Sequence, residues 1–163
     1  MEHKMQDSDI AQAWLKRLVG DWSYELVTTD TSDHPGATVT GNETIKAVGD
    51  AWVCIENSGR GSDGSASHSV TMLGFNPNTG RFSGAVAGTA APVLFVYEGV
   101  LGIDLTSLIL ETEGPAMTEG RSMDRYRDVL STQDGNSRKT SAQVLDSHGE
   151  WREFMVTRYT RKA

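Results

Sequence analysis

Residues 67–87 read SHSVTMLGFNPNTGRFSGAVA. The segment Pro77-Asn78-Thr79-Gly80 in the middle is typical of a tight turn, because proline presets φ and glycine accepts a positive φ. Strand-forming residues lie on both sides of this turn, and a polar Gly/Ser loop over 59–64 precedes the first of them. The stretch therefore predicts an antiparallel hairpin, with one strand over 67–76 and the other over 81–87.

The same pattern of short apolar runs between turn residues continues along the rest of the chain. Glycine supplies 17 of the 163 residues, which favours turns and bends. Turn signals such as Asp134-Gly135 and His148-Gly149 separate the runs, and no helix-length segment lies between them. Eight further strands are predicted, over 21–28, 36–48, 50–57, 93–97, 104–113, 121–131, 137–145 and 150–161. About ten strands in a meander predict an all-β fold, a closed or nearly closed antiparallel up-and-down β-barrel without edges.

A short helix is predicted before the first strand, over 9–19. Asp9 can cap it, and Gly20 can end it. Its apolar residues recur at helical spacing (Ala11, Trp14, Leu15 and Leu18), so this face must pack against the barrel. We expect a disordered N-terminus over 1–8 and a single domain over 9–163.

Composition excludes several classes of function. The formal net charge is −7, which argues against a duplex nucleic-acid binder and against docking on anionic membranes. Cys54 is the only cysteine, so no intrachain disulfide can form, and its apolar neighbours indicate a buried residue. The first residues lack an apolar leader segment. We therefore expect a cytoplasmic protein without a nucleic-acid or membrane partner, as a monomer or a homodimer.

Several segments together resemble a known family. They are Leu18-Val19-Gly20-Asp21-Trp22, Val48-Gly49-Asp50-Ala51-Trp52, Met72-Leu73-Gly74-Phe75-Asn76, Tyr97-Glu98-Gly99 and the ending from Trp151 to Lys162. The chain is similar to the calycins, the superfamily of lipocalins and fatty-acid-binding proteins. Within it, the chain resembles an uncharacterised, mainly bacterial domain-of-unknown-function family (number fifteen seventy-nine). The resemblance implies that Trp22 plugs one end of the barrel and that Arg158 or Arg161 stacks over it.

A barrel of this size often holds one small ligand in a mostly apolar pocket with a few polar groups. Every second residue of a strand lies on the same face, so we looked for polar or flexible side chains that share a face with apolar ones. These candidate cavity residues are Glu43, Glu56, His68, Arg125, Gln143 and Met155. An inward pair, Glu43 or Glu56 with Arg125, could orient a ligand or neutralise itself, since an unpaired buried charge is costly.

No known catalytic or metal motif occurs in the sequence. The four histidines, His3, His34, His68 and His148, lack the spacing of metal ligands, and no phosphate-binding loop or nucleophile elbow is present. We therefore predict no cofactor and no metal, and binding of a small apolar ligand without catalysis. Three alternatives stay open: a solid barrel that serves as an interaction module, a cavity enzyme with Glu43 or Glu56 as base, and haem binding through His68 or His148.

Overall fold

The computed structural model describes residues 2–31, 35–117, 119–132 and 134–163, with side chains from residue 7 onward. Helix and strands follow in chain order: α1 (Glu2–Lys16), β1 (Gly20–Thr28), β2 (Thr38–Val48), β3 (Trp52–Gly61), β4 (Ala66–Asn76), β5 (Arg81–Gly88), β6 (Ala91–Leu101), β7 (Ser107–Pro115), β8 (Met123–Thr132), β9 (Ser137–Leu145) and β10 (Trp151–Arg161). His34 and the side chain of His3 lie outside the described residues.

The ten strands form a closed antiparallel barrel in which each strand pairs with its sequence neighbours. β1 also pairs with β10 over seven residue pairs, from Trp22–Arg161 to Thr28–Met155, and this pairing closes the barrel. The predicted fold class is therefore confirmed. Every strand finds a partner on both sides, which removes the exposed edges of an open sheet.

The hairpin predicted from residues 67–87 is present as β4 and β5. The amide of Gly80 donates to the carbonyl of Asn76 at 2.9 Å, and Gly80 has φ of +70°. That backbone conformation is open to glycine without strain, whereas a Cβ would strain it. The turn fixes a register that pairs Phe75 with Phe82, both buried at one end of the barrel.

Several element boundaries differ from those predicted, among them the end of β3, which lies at Gly61 rather than at residue 57. The helix begins at Glu2, seven residues before Asp9, and ends at Lys16 rather than at residue 19. Glu, Lys, Met and Gln before Asp9 are strong helix formers, which explains the earlier start. β6 continues to Leu101, whereas the sequence predicted that this strand ends at residue 97.

The hydrophobic core lies at the end of the barrel that the helix covers. Ala11, Trp14, Leu15 and Leu18, which the helical spacing had placed on one face, are all less than 4% exposed. Trp14 contacts Phe82 edge-on, with 6.4 Å between ring centroids. The helix therefore closes this end as part of the core. No helix in the described part of the chain is long and apolar enough to cross a membrane.

Candidate functional site

A cavity of about 540 Å³ occupies the half of the barrel away from the helix. Apolar side chains from most strands line its wall, among them Leu26, Val86, Phe95, Leu110, Phe154 and Met155. The barrel is thus solid beside the helix and hollow beyond it. Ala90, Ala91, Pro115 and Met117 lie in or beside the loops that surround the mouth.

A buried ion pair lies at the floor of this cavity. Nη2 of Arg138, on β9, pairs with Oε1 of Glu43, on β2, and both side chains are at most 3% exposed. The guanidinium of Arg138 lies 3.6 Å from the ring centroid of Tyr159 and 4.7 Å from that of Trp22. Burial lowers the pKa of Arg138 to about 10, opposed chiefly by Tyr159, so the guanidinium stays charged at neutral pH. Each charge compensates the other, as a buried charge requires.

Two polar side chains extend the ion pair up the wall of the cavity. Asn57 Nδ2 donates to Glu43 Oε2 at 3.4 Å, and Ser69 Oγ donates to Asn57 Oδ1 at 2.9 Å. The three residues lie on the neighbouring strands β2, β3 and β4, and all of them line the cavity. This chain of contacts orients the Glu43 carboxylate towards Arg138.

Trp22 lies beneath the ion pair and is 1% exposed. Its Nε1 donates to the carbonyl of Leu18 at 2.9 Å. Arg161 lies on β10, which pairs with β1, and its guanidinium is 4.3 Å from the Trp22 ring centroid. Arg158, the other arginine proposed for this place, is exposed on the outer surface.

Arg161 also ties the helix to the end of the barrel. Its guanidinium donates to the carbonyls of Arg17 and Val19, each at 2.7 Å, and to that of Gly135 at 2.9 Å. Carbonyls just after a helix C-terminus carry partial negative charge, which favours a cation there. Gly20 leaves room for this contact: it has φ of +136°, and a Cβ there would collide with Arg161 Nη1.

A second polar group lies on the cavity wall. The Asp128 carboxyl on β8 accepts a hydrogen bond from the Tyr97 hydroxyl on β6, and both residues line the cavity. Burial raises the pKa of Asp128 to about 6, although the bond from Tyr97 opposes this rise. Burial also raises the pKa of Tyr97, and the charge of Asp128 adds to that effect. The tyrosine is therefore a hydrogen-bond donor at all physiological pH values.

The raised pKa of Asp128 predicts a pH-dependent stability. In the unfolded chain the carboxyl releases its proton near pH 3.8, whereas in the folded chain it does so near pH 6. The folded state therefore binds more protons between these values, and the free energy of unfolding should fall as the pH rises. Urea unfolding from about pH 4 to about pH 7 should show this fall relative to Asp128→Asn. If the difference in free energy of unfolding between the two proteins stays constant over this pH range, the prediction is wrong.

The mouth of the cavity is held by two contacts from β8. The Tyr126 hydroxyl donates to the carbonyl of Pro115 at 2.6 Å. Asp124 Oδ2 accepts the backbone amide of Met117 at 2.9 Å. Tyr126 also contacts Phe154 edge-on, with 5.9 Å between ring centroids. These contacts fix the start of the loop between β7 and β8 beside the opening.

The structure brings only some of the predicted cavity residues together. Glu43 and Met155 line the cavity, and His68 reaches its rim with an exposed side chain. The prediction was wrong for three residues that do not line the cavity: Glu56, Arg125 and Gln143. Glu56 is exposed on the outer face. Arg125 pairs outside the barrel with Glu111 at 3.3 Å.

Gln143 belongs to a cluster on the outer surface, where its Oε1 accepts from Arg127 Nε at 2.6 Å. On β8 the sequence predicted that the odd-numbered face, with Arg125, lies inward, whereas Tyr126, Asp128 and Leu130 line the cavity. Both faces carry two charged side chains, Asp124 and Asp128 inward and Arg125 and Arg127 outward, so the cost of burying charge does not identify the inward face.

His68 and His148 are the two histidines whose side chains the structure describes. His148 is exposed in the turn between β9 and β10 and does not line the cavity. Within the described residues, no group of three or more histidine, cysteine or acidic side chains could hold a metal ion. Cys54 is partly buried rather than fully buried.

Comparison with solved structures finds the same fold in proteins of very different sequence. The S-type phycobiliprotein lyase CPES from Guillardia theta is 14% identical, with a TM-score of 0.64 over 96% of this chain and 97% of that one. Rv2717c from M. tuberculosis is 16% identical, with a TM-score of 0.66 over 94% and 98%. EF1p2_mFAP2b bound to DFHBI is 11% identical, with a TM-score of 0.51 over 93% and 99%. At these identities the similarity shows the fold alone.

Comparison with curated proteins gives no significant match. A family profile, by contrast, matches residues 9–161, nearly the whole chain. Its description is protein of unknown function (DUF1579). The chain belongs to this family, DUF1579, as the sequence segments had indicated.

Proposed function

We propose that this protein binds a small, largely apolar molecule in the barrel cavity without transforming it. The observation that carries this proposal is the cavity itself, about 540 Å³ inside the barrel. Pockets for small ligands have volumes of roughly 300–1,000 Å³ and mostly apolar walls with a few placed polar groups. The wall described above has this composition.

The two glutamates considered as catalytic bases are poorly placed for that role. Glu43, the inward carboxylate of the enzyme alternative, is compensated by Arg138 and also bonded to Asn57. The carboxylate is thus already engaged by two partners, and protonation would leave the buried Arg138 guanidinium without its counter-charge. Glu56, the other candidate base, is exposed on the outer surface. Neither glutamate is therefore suited to act as a general base in the cavity.

Filling the cavity should abolish binding. Thr71 lies on β4 and lines the cavity, so Thr71→Phe places a ring in the ligand space. We expect the affinity for the neutral fluorescent probe N-phenyl-1-naphthylamine to fall at least about tenfold, measured by fluorescence titration. Thr40→Phe is the matched control, because Thr40 is exposed on the outer face of β2.

Two outcomes would contradict this proposal. One is that the unmodified protein fails to bind the neutral probe and carries no small molecule in native mass spectrometry after purification from its own host. The other is that Thr71→Phe and Thr40→Phe bind the probe equally, which would place the binding site outside the barrel.

A further inference from the structure

The cavity is lined by more acidic than basic side chains. Three charged side chains occur among the described lining residues: Glu43, Arg138 and Asp128, with His68 exposed at the rim. Glu43 and Arg138 neutralise each other at the floor. Asp128 is left over, and in the described part of the chain no lysine, arginine or histidine nitrogen lies within 4.0 Å of its carboxylate.

The Asp128 carboxylate also has unused acceptor capacity. Its hydrogen-bond donor is the Tyr97 hydroxyl, whereas an ionised carboxylate offers about four lone-pair sites. Its neighbours across the two strand pairings are Leu110 and Ala142, which offer no polar side chain. A group that enters the cavity can therefore still approach this carboxylate as a donor.

Aromatic side chains in the same cavity favour a cation. Phe95, Tyr97, Tyr126 and Phe154 all line it. The faces of aromatic rings carry negative partial charge and attract ammonium groups, more strongly where water is excluded. An ammonium group at Asp128 would thus gain both an ion pair and aromatic neighbours.

An anionic ligand would find no such partner. Arg138, the only cationic lysine or arginine side chain among the described lining residues, is already paired with Glu43 and stacked on Tyr159 and Trp22. A ligand carboxylate would have to displace Glu43 or lie in a cavity that already holds the charge of Asp128. Either arrangement leaves a buried charge uncompensated, which is costly.

We propose that the ligand is an apolar amine whose ammonium group pairs with Asp128. This inference rests on the proposed function and specifies its ligand class. It predicts a preference for an ammonium group over a hydroxyl or a carboxylate on the same apolar body, because a charge-assisted hydrogen bond in a cavity is stronger than a neutral one.

Three naphthalene compounds of matched shape test the inference: 2-naphthylmethylamine, 2-naphthylmethanol and 2-naphthoate. Each competes with N-phenyl-1-naphthylamine for the unmodified protein at neutral pH. We expect the amine to bind at least about tenfold more tightly than the alcohol, and the carboxylate to bind most weakly. This comparison needs no variant, so it does not depend on the folding of one.

Two variants locate the preference. Asp128→Asn keeps the shape of the side chain and removes its charge. The affinity of the amine should therefore fall to that of the alcohol. Glu111→Gln removes a carboxylate on the outer face of β7, where it pairs with Arg125, and should leave the preference unchanged.

The outcomes separate the two proposals. Equal binding of amine and alcohol, tighter binding of the carboxylate, or a preference that survives Asp128→Asn would overturn the amine inference and leave cavity binding intact. Binding of none of the three compounds, together with no binding of the neutral probe, would overturn both.

Discussion

Replacement of Arg138 by methionine should lower the free energy of unfolding by about 3–5 kcal/mol, the usual cost of removing one partner from a buried ion pair. The Glu43 carboxylate would be left 2% exposed and, among the described residues, would keep the contact with Asn57 Nδ2. A charge in that position must either stay ionised in an apolar environment or take up a proton, and both are costly. Urea unfolding followed by tryptophan fluorescence measures the effect.

Two further variants separate the lost charge compensation from the lost side-chain volume. The double variant Glu43→Leu/Arg138→Met removes both charges and should recover most of the stability that Arg138→Met loses. Arg125→Met removes an arginine from the exposed pair with Glu111 and should cost less than about 1 kcal/mol. If Arg138→Met costs no more than Arg125→Met, water reaches the floor of the cavity.

The fold could be predicted from the sequence because its signals are local. Turn residues such as Pro77 to Gly80 and the Asp134-Gly135 pair mark hairpins without reference to the rest of the chain. Hairpins in unbroken succession leave an antiparallel meander as the simplest arrangement, and ten strands allow it to close. The predicted boundaries of α1 and β6 were wrong by several residues, because turn signals mark where a chain reverses better than where an element begins or ends.

The candidate site could be predicted only in part because it depends on contacts between distant strands. Glu43 was identified from its apolar neighbours on β2, but its partner was expected to be Arg125. Arg138 is 95 residues away in sequence and reaches Glu43 only because β1 and β10 close the barrel between β2 and β9. A period of two residues says which side chains share a face, yet not which of the two faces lies inside.

Asp128 was missed because the sequence does not show which face of β8 lies inside the barrel. Both faces of β8 mix polar and apolar residues, so alternation alone leaves the inward face undecided. The outer face carries Arg125, which meets Glu111, and Arg127, which lies 4.5 Å from the Trp151 ring centroid. These partners on neighbouring strands settle the question, and they become visible only once the register is known.

Trp22→Ala should lower the free energy of unfolding by about 3–5 kcal/mol, the typical cost of removing a large aromatic side chain from a core. Trp22 is 1% exposed. It packs in the cluster that joins the helix to the barrel, and its Nε1 satisfies the Leu18 carbonyl beyond the helix. Its loss would also remove the aromatic surface beneath both Arg138 and Arg161.

Trp52→Ala provides the matched control for this variant. Trp52 is 42% exposed at the start of β3, so its removal should cost much less than that of Trp22. Trp22→Phe separates packing from hydrogen bonding, because it keeps a ring and removes the donor to Leu18. We expect an intermediate loss, since an unsatisfied carbonyl costs about 1–3 kcal/mol if it stays buried. Equal losses for Trp22→Ala and Trp52→Ala would show that the helix-covered end contributes no more to stability than the outer surface, and that Trp22 does not plug the barrel.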